Sequence, residues 1–391
     1  RRWTLRDALV AGQMAVTVLL LVVAALLTRS LLAAQRTSPG FAVNSLAVLS
    51  TDTGMLRYSE ERSRQFYEQA IARVTSIPGV ESAALATRVP LQVNPNRWEL
   101  WMPDRHQPGE HGDTIEVTTV STGYFQTLGV PIVEGRAFTN ADGPNSQRVA
   151  IVNETFANRY WPRQSAIGKT FRTRGSEGPL FEIVGVSADH KVLTLSERPT
   201  PFLQIPRSQR PGSYAAIIAR TRGDADALLR DMRRELLALE PNLVFVENQT
   251  MEAEVDATLF PMRASAWLVS GIGLVAMVLA AIGLYGVIAY SVARRTREIG
   301  IRVALGAAPR QVMGPVVREG IILAVIGIAI GLAGAFAAAR ALSAFLFGVG
   351  ASDPLTLAAV ALIMLLVAMV ASYIPSRRAL KVDPVIALRA Q

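Results

Sequence analysis

Four runs of this chain carry no charged residue and are long enough to cross a bilayer: residues 8–28, 264–293, 320–339 and 354–376. About 20 apolar residues span the hydrocarbon core, and only a helix or a closed barrel satisfies its own backbone there. The runs therefore predict four membrane helices. The wide gap after the first leaves residues 29–263 for a separate domain.

Charge orients these spans. Arg1, Arg2 and Arg6 precede the first run, Arg294, Arg295, Arg297 and Arg302 follow the second, and Arg377, Arg378 and Lys381 follow the fourth. Beyond Arg340, the stretch between the third and fourth runs carries only Asp353. Short arginine-rich loops stay in the cytoplasm, so both termini and the loop after the second span are expected there. Residues 29–263 and 347–353 are expected outside. Arg340 sits where its head can snorkel to the outer interface. The first run lacks a small-residue cleavage site with a polar flank and reads as a retained span.

Composition sharpens the picture. Residues 1–7, 294–319 and 377–391 hold 13 basic and 4 acidic residues, an excess equal to the whole net charge of +9. The basicity thus belongs to membrane flanks and excludes a nucleic-acid surface. The spans contain no acid or histidine, which proton relays and ion-coupled carriers place there. With no cysteine and only His106, His111 and His190, neither disulfides nor a metal centre is expected. Gly168-Lys169-Thr170 imitates a phosphate loop, but Arg163 stands where its first glycine belongs. No catalytic, cofactor or metal residue is assigned. The pattern Asn-x-Thr at Asn153 and Asn248 is common by chance, and Trp98, Trp101 and Trp161 read as core or interface residues.

Residues 29–263 alternate strand and helix signals. A strand at 45–51, a helix at 59–76 and a strand at 80–87 form one β-α-β unit. Phe66, Ala70, Ile71, Val74 and Ile77 share one face of its helix. A second unit has strands at 214–220 and 243–246 around a helix at 224–240, with Asp224 as its cap. Leu228, Leu229, Met232, Leu236 and Leu239 face inward. Together they suggest a split ferredoxin-like domain. The insert at 91–210 is β-rich, with strands at 97–102, 114–120, 149–152, 181–186 and 202–205 and short helices at 122–128 and 153–161. Residues 251–260 extend the second span outward as a stalk, which Pro261 would kink unless neighbours hold it.

Two small faces mark the spans. Gly327, Gly331, Ala335 and Ala339 recur every fourth residue in the third, and Gly283 and Gly286 lie in the second. Such faces let helices approach closely, within a protomer or across a dimer. Lining a substrate path is the alternative. The loop after the second span, residues 293–318, has six arginines. Within it, residues 298–305 can form one or two helical turns, which Gly306 and Pro309 would stop. On charge alone it reads equally as a solvated topogenic loop.

The run R-R-T-R-E-I-G-I-R-V-A-L-G-A from Arg294, the D-P-L at 353–355 and I-P-S-R-R-A-L-K-V-D-P-V-I-A-L-R at 374–389 resemble permeases of the MacB/FtsX-like ABC transporter family. Q-M-A-V-T-V-L-L-L-V-V-A-A-L-L-T-R-S-L near the start and G-Y-F-Q-T-L-G-V-P at 123–131 extend the likeness over nearly the whole chain. The resemblance implies an α-helical membrane protein with four transmembrane helices and a large α+β extracytoplasmic domain. That domain combines a split ferredoxin-like porter subdomain, residues 33–90 and 211–250, with an inserted sabre-like subdomain, residues 91–210. Residues 1–32 hold the first span, 251–293 the stalk and second span, 294–315 the coupling segment, 316–346 the third span, 347–353 an outer loop, 354–376 the fourth span and 377–391 a tail.

The resemblance further implies that Arg294, Arg297, Glu298, Ile299, Arg302 and Leu305 contact a cytoplasmic ABC ATPase on a separate polypeptide. Motion would pass from it to the outer domain for export or efflux across the bacterial inner membrane. Expected partners are the bilayer, a second permease half or a second copy of the chain, and a periplasmic adaptor. The amount of sequence fits the second half of a tandemly duplicated permease. Two other readings are an FtsX-type signalling protein controlling a cell-wall hydrolase, and a membrane-anchored binding module without an ATPase.

Overall fold

The computed structural model describes residues 5–92, 96–102, 104–107, 110–295, 298, 301, 305, 308–341, 350 and 353–379. It separates into two units, Arg1–Arg36 with Leu259–Gln391 and Thr37–Thr258.

Helix α1 (Leu5–Arg36) opens the chain. Strand β1 (Leu46–Asp52), helix α2 (Glu60–Thr75) and strand β2 (Val80–Ala86) form the first β-α-β unit. Ser59 caps α2 by accepting from the Arg62 N–H, and Glu60 and Glu61 suit the positive end of its dipole. Next come β3 (Arg97–Trp101), β4 (Asp113–Val120), α3 (Tyr124–Leu128), β5 (Ile132–Gly135), β6 (Val149–Asn153), α4 (Glu154–Tyr160), β7 (Thr170–Thr173), β8 (Leu180–Ser187) and β9 (Phe202–Pro206). The second unit is β10 (Tyr214–Thr221), α5 (Ala225–Leu239) and β11 (Phe245–Thr250), with Asp224 capping α5. The chain ends in α6 (Met251–Arg294), α7 (Pro309–Ala341) and α8 (Pro354–Ala379). Helix α6 passes through Pro261 without a break.

In the outer unit, β11-β1-β10-β2 make an antiparallel four-stranded sheet. Numbered within the two β-α-β units, its order is 4-1-3-2. Both helices lie on one face of this sheet. Phe66, Ala70 and Val74 of α2 meet Leu228, Met232 and Leu236 of α5 over Leu49, Ile217 and Leu85.

The remaining strands close on themselves. β4 pairs with β3, β3 with β7, β7 with β8, β8 with β6, β6 with β9, and β9 returns to β4. This is a six-stranded ring, with β5 pairing residues 185–187 of β8 beyond the stretch that pairs with β7. One face of every strand points inward, giving a core of Leu100, Val117, Val152, Phe171, Ile183 and Leu203. Phe156 and Tyr160 of α4 join that core. Trp98 and Trp161 pack against it, partly buried. Asn153 is 1% exposed and caps α4. Its Oδ1 accepts from the N–H groups of Phe156 and Phe202, and its Nδ2 donates to Asp189 and Thr200. This folded environment leaves no access for a glycosylating enzyme.

Outside the ring, on β4, lies a buried ion pair. Arg88 Nη1 donates to Glu116 Oε2 at 2.6 Å, and the more exposed Arg97 donates to Oε1 at 2.6 Å. Burial by itself would raise the Glu116 carboxyl, but the hydrogen bonds from Arg97 and Arg88 outweigh it and hold the group below its ordinary 4.5.

In the membrane unit α1 is central. Half of its most apolar window is buried, against about three-tenths for the other three helices. Its closest approach is to α7. A Cβ on Gly327 would lie 2.5 Å from the Met14 Cβ and 2.9 Å from the Ala11 carbonyl. One on Gly331 would lie 2.6 Å from both the Ala15 carbonyl and the Val18 Cβ. Ala335 and Ala339 continue this buried face. Helix α6 meets α1 where a Cβ on Gly283 would lie 2.8 Å from Gln13 Oε1, and where the Thr17 hydroxyl lies 3.2 Å from the Ala276 carbonyl. Gly286 has nothing within 4 Å of its would-be Cβ.

Two predictions follow from these contacts. Gly331→Val must push α1 away from α7, and overpacking of this kind costs roughly 2 kcal/mol. Thermal unfolding of the purified chain in detergent should show a clear loss, whereas Gly286→Val should unfold like the parent.

The second concerns Glu116. A carboxylate whose folded pKa is depressed contributes its full stability above the ordinary carboxylate range and loses it as the pH falls through the folded value. Glu116→Gln should cost about 3 kcal/mol at neutral pH, the usual scale for breaking a buried pair. The gap between variant and parent should narrow on acidification below pH 4.5. Denaturant titrations at several pH values measure both effects, and a gap independent of pH would refute the assignment.

Candidate functional site

The arginine-rich segment between α6 and α7 is fastened at its start. Arg294 ends α6, and its guanidinium lies 5.4 Å from the centroid of the Tyr290 ring. Arg6 of α1 lies 4.6 Å from the same centroid. One aromatic ring thus meets a cation from each of two helices, an attraction that strengthens as water is excluded. Arg295 Nη2 is 3.8 Å from Glu319 Oε2 on α7, and the Ser291 hydroxyl lies 3.5 Å from Glu319 Oε1. Glu319 is buried.

Neither Tyr290 nor Glu319 was singled out by the sequence pattern. Glu319 stands one residue before the third apolar run, so a count of charges inside the runs passes it by. Helix α7 starts earlier and takes it in. Tyr290 could have been noticed as an interfacial aromatic one turn before the arginines.

Within the segment, the Leu305 N–H donates to the Ile301 carbonyl at 3.0 Å, one turn of helix. Leu305 is 82% exposed and Ile301 44%, so two apolar side chains face solvent among arginines. Glu298 is exposed as well. Arg297, Ile299, Arg302 and Gly306 lie outside the described residues. Pro309 is the first residue of α7, and residue 308 before it is not helical. A proline has no N–H to lose at that position, and its fixed φ already suits the helix.

Gly327, Gly331 and Gly283 all lie against α1, whereas a Cβ on Gly286 would meet nothing within 4 Å in this chain.

At the opposite end of the bundle, Arg29 of α1 is paired with Asp353 and lies 3.1 Å from the Thr356 hydroxyl. Asp353 also accepts from the Thr356 N–H at 3.0 Å, capping α8. This contact ties the far end of α1 to the start of α8.

The outer unit contains a cleft of about 660 Å³ lined by Tyr67, Leu85, Val120, Pro206 and Arg207, with Glu60, Glu61 and Glu68 at its rim. Arg207 donates to the carbonyls of Tyr214 and Gly212 at 3.0 and 2.6 Å, and its guanidinium lies 4.7 Å from the Tyr67 ring centroid. Burial pulls Arg207 below its ordinary value and pushes the Tyr67 hydroxyl up to about 12. No sequence motif marked this cleft, because its walls come from segments far apart in the chain.

The remaining sequence candidates form no binding site among the described residues. Gly168-Lys169-Thr170 leads into strand β7 rather than into a helix, so no helix N-terminus is available for a phosphate. His106 Nδ1 accepts from the Met102 N–H, His111 is fully exposed and His190 is buried.

Two family descriptions match this architecture. The MacB-like periplasmic core domain matches residues 8–235, more than half of the chain, and the FtsX-like permease C-terminal domain matches residues 270–384. The ABC transporter permease YknZ of Bacillus subtilis (strain 168) is 25% identical over 278 residues, covering 70% of this chain and 69% of that protein. The macrolide export ATP-binding/permease protein MacB of Marinobacter nauticus is 24% identical over 275 residues, covering 67% of this chain and 41% of its own length. This chain therefore spans about two-fifths of that fused relative. The periplasmic region of MacB from Actinobacillus actinomycetemcomitans aligns in structure with a TM-score of 0.38 and 14% identity, over 55% of this chain and 92% of that one. With both its periplasmic core and its C-terminal spans matched, the chain belongs to the MacB/FtsX-like family of ABC transporter permeases.

Proposed function

We propose that this permease component transmits ATP-driven motion from a cytoplasmic ATPase, through its four spans, to an extracytoplasmic domain that acts in export. The carrying observation is Leu305. A leucine 82% exposed, on a helical turn in a basic loop between two spans, is an anchor suited to a groove on a partner. Arg294, Arg297, Glu298, Ile299 and Arg302 complete the proposed contact. The arginine bias at Arg6, Arg294 and Arg377 supports a cytoplasmic position for this loop and for both termini. ATP hydrolysis belongs to a cytoplasmic ATPase, to which these residues would dock.

In the outer domain, the 4-1-3-2 sheet supports a split ferredoxin-like porter subdomain at residues 33–90 and 211–250. The closed ring supports an inserted sabre-like subdomain at 91–210. Small-residue faces on the spans suit a second permease half or a second copy, and a periplasmic adaptor would meet the outer domain. Several relatives are named for export, of macrolides and of pyoverdine, which favours export over a signalling output.

Leu305→Asp and Ile299→Asp each place a carboxylate where the docking groove expects an apolar side chain. Each should cost on the order of 2 kcal/mol or more in ATPase binding. Membrane levels should stay normal, because the spans and the arginines are untouched. Arg310→Ala, beyond the turn, should have a much smaller effect. The measurement is ATPase co-purification with the full chain, alongside its membrane abundance. Parental ATPase binding by both Asp variants would leave the segment a topogenic loop only.

A further inference from the structure

Helices α6 and α8 enclose an apolar groove of about 510 Å³ that faces out of the bundle. Val278, Ile282 and Tyr285 line it from α6, and Leu366, Val370 and Ile374 from α8. A second, smaller hollow of about 230 Å³ is lined by Tyr373, Ile374, Arg377 and Arg378. Ile374 is common to both, so the apolar groove and the arginine-lined hollow are contiguous. Their junction is fixed by a hydrogen bond: Arg378 Nη1 donates to the Tyr285 hydroxyl at 3.0 Å across the two helices. This bond restrains a side chain that would otherwise wander at the interface.

The two hollows together have the chemistry of an amphiphile with an anionic head. The groove offers a continuous hydrocarbon wall, with Val278, Ile282, Leu366 and Val370 each about half exposed along it. The hollow is lined by Arg377 and Arg378, and among the described residues no acid forms an ion pair with either. A guanidinium binds phosphate oxygens through paired N–H donors. Basic hollows between membrane helices on the arginine-rich side are suited to anionic phospholipid head groups. Bulk lipid would fill any apolar groove without regard to its head group. Here the arginines at the mouth confer a preference.

We propose that the α6–α8 groove is a binding site for an anionic phospholipid, with one acyl chain along Val278, Ile282 and Val370 and the phosphate held by Arg377 and Arg378. The occupant is a lipid of the surrounding bilayer rather than a soluble phosphate, because the larger part of the site is hydrocarbon wall. Tyr285 positions Arg378 and contributes the groove's polar end.

The test is native mass spectrometry of the full chain in detergent, with dioleoyl phosphatidylglycerol and dioleoyl phosphatidylcholine added at equal concentration. Glycerol 1-phosphate serves as a soluble head-group control. Phosphatidylglycerol should be retained on the order of tenfold or more over phosphatidylcholine, the scale expected from two basic residues at about 1 kcal/mol each. Glycerol 1-phosphate should not be retained. Arg377→Gln with Arg378→Gln should bring the two lipids to equal retention. Val370→Trp, which fills the groove and keeps both arginines, should reduce retention of both lipids.

Equal retention of the two lipids by the parent overturns the proposal, and does so even if a variant fails to fold. A phosphatidylglycerol preference undiminished in the double Gln variant also overturns it. So does retention of glycerol 1-phosphate as strong as that of the lipid. Loss of a dimer mass in Val370→Trp with lipid retention unchanged would assign the groove to a second copy of the chain instead.

Discussion

The approach of α7 to α1 at Gly327 and Gly331 governs the membrane unit. Lipid tails are as apolar as the helices, so no hydrophobic force gathers them, and the contacts that remain are close packing and hydrogen bonds. Glycine supplies the closeness. With a Cβ at either position, α1 and α7 could not hold their present separation. Bringing the axes together buries Met14, Val18 and Val22 of α1 against Leu323, Ala324 and Ile328 of α7. It also puts α1 in the middle of the bundle, where Thr17 and Ser30 are fully buried. Helix α8 makes a similar approach, because Gly320 of α7 lies against Ser372. Helix α6, by contrast, keeps a broad apolar face outward, from Trp267 to Ile282.

A different constraint organises the outer unit. Residues 87–213 depart from the end of β2 and return at the start of β10. These are neighbouring strands, and Ala86 pairs directly with Ala216. An insertion whose two ends are already adjacent adds little closure entropy to the host, whatever its length. The host sheet can therefore keep its own core beneath α2 and α5 while the insert builds a second core inside its ring. Few strand contacts bridge the two cores. β2 and β4 share the pair Ala86–Val120. The Thr87 and Thr118 hydroxyls, 3.2 Å apart, and the Arg88–Glu116 pair extend that seam with polar groups.

How much of this was legible depended on whether the signal was local. Long uncharged runs announce membrane helices, and all four emerged within helices somewhat longer than the runs themselves. The periodic faces of α2 and α5 and the cap at Asp224 are equally local and were readable, whereas Ser59, taken as the first helical residue, is the cap of α2. Strands β5 and β7 were not. Each has four residues, β5 is mostly exposed, and β7 reads Thr-Phe-Arg-Thr with a single large apolar residue. Closure of the ring was beyond the sequence for a further reason. It rests on the parallel pairings β4–β9 and β6–β8, which join segments distant in the chain and leave no local mark. Strand β11 was expected to begin two residues early and to end four residues short, because Leu243 and Val244 look as strand-like as Phe245 and Val246 while the residues after them are polar. The coupling segment was legible in charge alone. The aromatic and acidic partners that fasten it, Tyr290 and Glu319, sit on other turns and other helices.

Those fastenings bear on how the proposed coupling would work. A force applied at Leu305 or Glu298 meets a segment whose entry is held by Arg294 and Arg295. From Arg295 it passes to Glu319, a buried acid on α7, where an unpaired charge would be costly to leave behind. Through Tyr290, which also receives Arg6, it reaches α1. Helix α7 is locked to α1 by the glycine contact, and α1 is tied to α8 at its other end by Arg29 and Asp353. The bundle thus has polar links from α6 to α1 and α7 at one end, a polar link from α1 to α8 at the other, and close packing of α1, α7 and α8 between them. In the proposed coupling, such a bundle would move as connected rods rather than by bending each helix alone. That behaviour is what a permease needs if a displacement made at one membrane face is to be felt at the other.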